Sequence, residues 1–246
     1  MRDIELNEFE RTDDLNRNGY KIIQNEKKFC FGMDSVLLSG FANVKKGEKA
    51  VDLGTGTGVI PILLCAKTQG KSYIGIEIQE ECAKMAQRSV FMNELENNIE
   101  IKHLDLKNAA EELGKCAYDV VTSNPPYMNE KGGMINEYSP MAIARHEILC
   151  TLDDVVCAAA SLLRFGGRFY MVHRPHRLAD IFSSLRKHKL EPKRMQLVQP
   201  REGKEPNMVL IEASKQGRPM LKVLPPLVIY DNDGNYTKSV RQIYEE

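Results

Sequence analysis

Ala50-Val51-Asp52-Leu53-Gly54-Thr55-Gly56-Thr57-Gly58-Val59-Ile60-Pro61-Ile62-Leu63-Leu64-Cys65-Ala66 changes character at Gly54. Residues 50–53 read as a strand. Residues 59–66 read as an apolar helix, with Pro61 tolerated in its first turn. Between them lies a glycine loop, and glycine there lets a ligand come against the backbone. The spacing is GxGxG and not GxGxxG, and no Gly-Lys-Ser/Thr follows to hold phosphates. Asp52 stands two residues before the first glycine. An anion there repels a pyrophosphate and suits a ligand with cationic groups.

Outward from this unit the pattern is regular. Ser72–Glu77 is a second strand, residues 79–93 an amphipathic helix with Cys82, Ala83, Ala86, Val90 and Phe91 on one face, and Ile99–His103 a third strand. A short helix near 107–113 precedes a fourth strand at 118–123. A helix over 152–163, a strand over 166–172 and a helix over 177–188 follow, and two strands, 191–198 and 208–213, meet at a charged turn. A βαβα series ending in two strands without a helix between them predicts a parallel sheet with an antiparallel edge. Upstream, residues 1–18 are polar and expected to be poorly ordered or bound to the surface. Runs at 19–24 and 29–31 suggest a hairpin, and Asp34 is the expected N-cap of an apolar helix over 36–42. In the tail, Asp231–Gly234 reads as a tight turn. The expected division is an N-terminal extension (1–43), a core domain (44–214) and a C-terminal extension (215–246).

The chain has 246 residues, 42% hydrophobic and 28% charged, which suits one α/β domain with small appendages. Net charge is zero, so composition does not announce a nucleic-acid binder. Six cysteines without a CxxC pair read as reduced thiols, with neither disulfides nor metal expected. The charged N-terminus has no apolar signal core, and no run approaches the ~18 apolar residues of a membrane span. A cytoplasmic protein is expected, a monomer or weak homodimer with no membrane partner.

Two further strand ends carry carboxylates. Glu77 can accept hydrogen bonds from ribose hydroxyls. Asp105 can accept from an adenine amine. The fourth strand ends in Asn124-Pro125-Pro126-Tyr127. Two prolines cannot continue a central strand, so the chain turns there with its carbonyls stiffly directed. An amide, a fixed carbonyl and an aromatic face within four residues can grip a flat, amine-bearing group.

This combination resembles the class I S-adenosylmethionine-dependent methyltransferases over residues 50–213, most specifically at Val51–Gly58, Glu77 and Asn124–Tyr127. The resemblance implies a Rossmann-like, doubly wound α/β sheet of seven strands with the last antiparallel. It implies S-adenosyl-L-methionine as cofactor, held by Asp34, Asp52, Gly54, Thr55, Gly56, Thr57, Gly58, Glu77, Ile78, Asp105, Leu106 and Asn124. The Asn-Pro-Pro-Tyr box is similar to that of the amino-methyltransferases, which implies catalytic roles for Asn124, Pro125, Pro126 and Tyr127. Asn124 and the Pro125 carbonyl would each accept one N–H of the acceptor amine, aiming its lone pair at the methyl group. Tyr127 would stack on a base, worth roughly 1–3 kcal/mol.

Between Arg164 and Glu205, eleven Arg or Lys stand against four acidic residues. A basic patch beside a base-gripping turn suits a phosphate backbone, with His173, Arg174, Arg177 and, after the Asn-Pro-Pro-Tyr box, Arg145 as expected substrate contacts. The whole chain most resembles the bacterial adenine-N6 methyltransferases of valine tRNA, which implies a tRNA partner. A glutamine-amide methyltransferase acting on a release factor shares the same box, and it or another RNA or DNA amino-methyltransferase stays open as an alternative.

Overall fold

The computed structural model describes residues 1–27, 30–125 and 150–245. The strand–loop–helix unit forms as its sequence dictates: β3 (Lys49–Leu53), the glycine loop, then α2 (Val59–Lys67). Six further strands align with β3: β4 (Ser72–Glu77), β5 (Ile99–His103), β6 (Tyr118–Ser123), β7 (Leu163–His173), β8 (Leu190–Arg201) and β9 (Met208–Lys215). Their spatial order is β8-β9-β7-β6-β3-β4-β5. The chain runs outward from β3 through β4 to β5, then returns to the other side of β3 for β6. The order therefore reverses between β3 and β6. A doubly wound sheet opens a ligand crevice at that place, beyond the carboxyl ends of the strands.

Helices α3 (Glu80–Met92), α4 (Ala109–Leu113), α5 (Leu152–Leu162) and α6 (Leu178–Lys187) complete the core elements. Buried side chains divide into clusters on the two faces of the sheet. Ala50, Leu63, Tyr170 and Leu210 are on one side, and Val51, Val121, Phe169 and Ile211 on the other. Successive residues of one strand face opposite sides, so both layers draw on the same strands. Thr151 caps α5 with a full capping box, its hydroxyl accepting from the Asp154 N–H at 3.2 Å while Asp154 accepts from the Thr151 N–H at 2.9 Å.

Strand β9 is antiparallel, as expected of the last core strand, but it is not the edge. It lies between β7 and β8 and pairs antiparallel with both. Its unbroken apolar run Val209-Leu210-Ile211 is buried on both faces, the pattern of an interior strand. β8 carries Pro192 at a register shift in its pairing with β9, and Pro200 beyond the last β8–β9 pair, places where a strand tolerates proline.

The terminal regions hold the largest departures from expectation. Residues 10–14 form a strand, β1 (Glu10–Asp14), antiparallel to β2 (Lys21–Asn25). The hairpin thus draws on the segment expected to be poorly ordered or surface-bound, and Cys30 and Phe31 are not in a strand. β1 is polar because it is the outer strand of the hairpin, while β2 buries Ile22 and Ile23 completely and the pair is bonded to α3. Arg88 donates to both Glu10 oxygens, at 3.0 and 2.8 Å, and Ser89 Oγ accepts from the Ile23 N–H at 3.0 Å. The same docking buries Met85, Ser89 and Met92 on a second face of α3. Phe91, expected on the core face, is 46% exposed, with Arg2 over its ring at 4.2 Å.

α1 (Met33–Phe41) starts earlier than expected. Gly32, in extended conformation, takes the N-cap position, and Asp34 sits in the first turn with its carboxylate on the Ser35 N–H. Beyond β9, β10 (Lys222–Val223) and β11 (Leu227–Tyr230) pair parallel with the outer edge of β8. Pro225-Pro226 interrupts them. They bring the sheet to nine strands among the described residues and cover an edge that would otherwise offer unpaired backbone groups. The Asp231 turn forms as expected, with its carboxylate accepting from the Asp233 and Asn235 N–H groups. α7 (Lys238–Glu245) then packs on α1. Among the described residues, no helix is long and apolar enough to cross a membrane.

The α1–α7 contact is close. A Cβ at Gly40 would come within 2.6 Å of Ile243 Cγ2. Gly40→Leu should therefore undock α7 while the central sheet stays folded. Hydrogen exchange should quicken at residues 238–245 and remain slow in β3 and β6.

Candidate functional site

The lips of the β3–β6 crevice are the two motifs singled out by sequence. The glycine loop leaves β3, and Asn124 and Pro125 leave β6. Gly54, Gly56 and Gly58 all have positive φ, at 69°, 57° and 91°. Other L-residues pay roughly 1–2 kcal/mol in this region. At Gly58 an added Cβ would also meet Ala86 Cβ at 3.1 Å. The loop curls over β4: the Gly54 and Thr55 N–H groups both donate to Ile76 O, at 3.0 and 2.9 Å.

Glu77 ends β4 and is 4% exposed. One carboxylate oxygen accepts from the Gly56 N–H and the other from the Gln79 N–H, each at 2.9 Å. It therefore braces the glycine loop as well as facing the crevice edge. Beside it, the Ile78 carbonyl is 2.9 Å from His103 Nε2. After β5, Asp105 caps a 3-10 turn, Leu106–Asn108, and its carboxylate accepts from the Lys107 N–H at 2.9 Å.

Asp52 is the most perturbed group in the crevice. It is 2% exposed, and one oxygen accepts from Thr122 Oγ1 at 2.6 Å. The other oxygen and the nearby Thr55 Oγ1 have no hydrogen-bond partner. Burial raises the Asp52 pKa to about 7; the Thr122 bond and the nearby Thr55 hydroxyl oppose this, and the Glu77 charge adds to it. A buried carboxylate oxygen without a donor is costly. Together, Asp52 and Thr55 present an acceptor and a hydroxyl to a ligand that brings donors or positive charge.

Across the crevice, Ser123 Oγ donates to Leu53 O at 2.9 Å, a second tie between β6 and β3. Asn124 Nδ2 donates to Ser35 Oγ in the first turn of α1 at 3.0 Å. That bond directs the amino end of the amide at α1 and places Asp34 at the same rim. Ser35, Thr122 and Ser123 did not emerge from the sequence. The signal was two hydroxyl residues at the buried end of an apolar strand, directly before Asn124.

Family membership follows from the whole chain. The model of the methyltransferase small domain matches residues 32–189, more than half of the chain. The chain belongs to the methyltransferase small domain family. It is an enzyme of S-adenosyl-L-methionine-dependent methyl transfer. A curated relative, the tRNA1(Val) (adenine(37)-N6)-methyltransferase of Photorhabdus laumondii, is 27% identical over 86% of this chain and 85% of its own. A predicted O-methyltransferase from Agrobacterium tumefaciens shares the fold with a TM-score of 0.70 at 22% identity, covering 86% of this chain and 95% of that one. Geranyl diphosphate C-methyltransferase from Streptomyces coelicolor, in complex with Mg2+, geranyl diphosphate and S-adenosyl-L-homocysteine, shares the fold at a TM-score of 0.56 and 12% identity, covering 74% and 78% of the two chains.

Pro126, Tyr127 and Arg145 of the methyltransferase lie outside the described residues. Its basic segment does not form one patch. Arg168 and Arg174 are six residues apart along β7 and just beyond it, about 20 Å of extended chain. Arg164, Arg168, Arg177, Arg186, Lys187 and Arg194 are each paired with a carboxylate: Asp119, Glu48, Asp180, Glu191, Asp153 and Glu212. His173 is 3% exposed and accepts from the Arg174 N–H. Burial, with the Arg177 and His176 charges, lowers its pKa to about 4, so it is neutral at pH 7 and offers no charge to a phosphate. Arg174 and Arg177 remain at the carboxyl end of β7, on the crevice side of the sheet. Arg174 donates to Asn207 O at 2.9 Å.

Two expectations follow. The folded Asp52 pKa lies above its unfolded value, so the ligand-free protein binds the extra proton and loses this contribution as pH rises from about 4 to about 7. Asp52→Asn should therefore gain in melting temperature relative to the parent between pH 5 and pH 8; an unchanging difference would mean that Asp52 is not neutral when buried. Ser35→Ala should slow methyl transfer roughly three- to tenfold, the worth of one hydrogen bond, with cofactor affinity unchanged by calorimetry.

Proposed function

We propose that this methyltransferase modifies N6 of an adenine in tRNA, with adenine 37 of tRNA1(Val), the substrate in its relatives' names, as the target. The observation that carries this reading is Asn124 at the end of β6, facing the Asp52 loop across the switch-point crevice and tied to α1 through Ser35. Residues 44–214 would form the catalytic body, framed by the extensions 1–43 and 215–246.

When bound, S-adenosyl-L-methionine supplies a methyl group activated by its sulfonium charge. Asp52, ionised, would face the cationic end of the cofactor, with Thr55 Oγ1 beside it. The glycine loop, Gly54 to Gly58, would lie along the ligand. Glu77 and Ile78 would hold the ribose and Asp105 with Leu106 the adenine, and Asp34 would close the rim. Asn124 Oδ1 and the Pro125 carbonyl would take the two N–H groups of the acceptor amine. An aromatic amine has its lone pair delocalised into the ring and is a poor nucleophile. Two acceptors that bend its hydrogens aside turn the lone pair toward the methyl group. The rest of catalysis is orientation, because displacement at the methyl carbon is in line. The proton left on the methylated nitrogen is acidic and passes to water without a dedicated base.

Tyr127, next in sequence to the prolines, would stack on the adenine, and Arg145, Arg174 and Arg177 would meet phosphates. A flipped, loop-exposed adenine requires no duplex-reading domain.

Incubation with radiolabelled cofactor and either unmodified tRNA or a release factor tests this reading. The expected product is N6-methyladenosine in tRNA; label in protein alone would replace it with glutamine-amide transfer. Asn124→Ala should lose at least about 100-fold in rate, as misplacement of a reacting group can, with cofactor affinity retained. Loss of cofactor binding would move Asn124 from the acceptor clamp to the cofactor site.

A further inference from the structure

A second cavity, of about 630 Å³, lies on the α1–α2 side of the sheet. Ser39, Lys45, Lys67, Arg168, Arg194 and Glu212 are among the residues that line it. It sits at the C-terminal ends of α1 and α2. The glycine loop is at the other end of α2, nine residues away, or about 13 Å of helix.

The charges here do not balance. Arg194 Nε bonds Glu212 at 2.8 Å, its Nη2 donates to Phe41 O at 2.8 Å, and the guanidinium lies over the Phe41 ring. Arg168 reaches Glu48 and Asn43 O. Those two carboxylates are each committed to one arginine. Lys45 and Lys67 add two more cations, and Arg17 stands close enough to depress the Lys67 ammonium. Four cations thus line the cavity, with Arg17 near Lys67, against two carboxylates, Glu48 and Glu212, already bonded to the arginines.

Lys67 is the clearest case. Among the described residues its Nζ has one polar contact, Ser39 Oγ at 3.0 Å, and no carboxylate. Burial first, and Arg17 second, lower its pKa to about 8. Buried ammonium groups are ordinarily paired.

A second observation is independent of charge. Among the described residues, four buried side-chain polar atoms have no hydrogen-bond partner. Two are Asp52 Oδ2 and Thr55 Oγ1, in the cofactor crevice. The others are Arg168 Nε, on a guanidinium that lines the cavity beside the Tyr170 hydroxyl, and Arg17 Nη1, on a guanidinium near Lys67 but outside the lining. Orphaned acceptors in the first site suit a ligand with positive charge. Orphaned donors in and beside the second suit an anion.

We propose that this pocket is a binding site for a phosphate-class oxyanion, distinct from the methyl-transfer crevice. Lys67 and Arg168 would supply direct donors, and Lys45 would hold the open side. The volume exceeds that of a phosphate ion and leaves room for the rest of a phosphomonoester, a nucleotide or an RNA phosphodiester.

Isothermal titration of the full chain with sodium phosphate and pyrophosphate tests this, against sodium chloride of equal ionic strength. Saturable binding is expected. Lys67→Met should weaken it at least about tenfold, the scale of a charged hydrogen bond, and Lys45→Ala by roughly threefold, the scale of an exposed charge. Lys45 is exposed, so its substitution reports even if Lys67→Met fails to fold. A response no greater than that of chloride, or one unchanged in the variants that fold, would overturn the proposal.

A tRNA arm separates the sources. Competition between phosphate and tRNA, with weaker tRNA binding in Lys45→Ala, identifies an RNA phosphodiester as the ligand. Phosphate binding that leaves tRNA affinity unchanged identifies a free phosphate compound. Phosphate affinity is read without methyl transfer, so failure of the adenine reading leaves this test standing.

Discussion

The hydrogen bond from Thr122 to Asp52 joins the two strands that part at the switch point, and the functional architecture depends on it. β3 and β6 are parallel neighbours in register, with Asp52 opposite Thr122 and Leu53 opposite Ser123. Their side chains add two ties to the backbone ladder, Thr122 to Asp52 and Ser123 to the Leu53 carbonyl. Beyond those ties the chains diverge, one into the glycine loop and one into Asn124-Pro125. The crevice is therefore narrow and fixed at its floor. A buried carboxylate with one donor and one unpartnered oxygen lies in that floor. Burial there raises its pKa to about 7.

α1 links this crevice to the rest of the molecule. Its first turn carries Asp34 and Ser35, and Ser35 receives the Asn124 amide. Its last residue, Phe41, gives its carbonyl and its ring to Arg194 at the cationic pocket. Its flank, at Gly40, receives α7. The helix is short and mostly buried. Few of its residues can move without disturbing the Asn124 amide, the C-terminal extension or the pocket. The tyrosine stack Tyr230–Tyr236–Tyr244, with ring centroids 5.4 and 5.5 Å apart, closes the extension onto itself behind α7.

Local signals carried much of the reading. The glycine loop had to curl because three glycines alternate with threonines, and the structure places all three at positive φ. Pro125 had to end β6. The strand and helix boundaries through 49–113 moved by only a residue or two, since each element combines its period with a clear stop signal. The polar hairpin strand Glu10–Asp14 was hidden because its partners, Arg88 and Ser89, are about eighty residues away on α3. The ion pairs of the basic segment were hidden for the same reason. Asp119, Glu48 and Asp153, which neutralise three of its cations, lie far outside it in sequence.

By itself the sequence determined the glycine turn, the stiff end of β6, the carboxylates at successive strand ends and the βα alternation. Each of these rests on backbone sterics or on periodicity within a few residues. Tertiary structure alone decided which strand ends face one another, that Ser35 would hold Asn124, that β9 would be interior, and that four cations would line one cavity against two carboxylates. Those outcomes depend on strand order and on burial, which set distances and dielectric between residues remote in the chain. No local pattern encodes them.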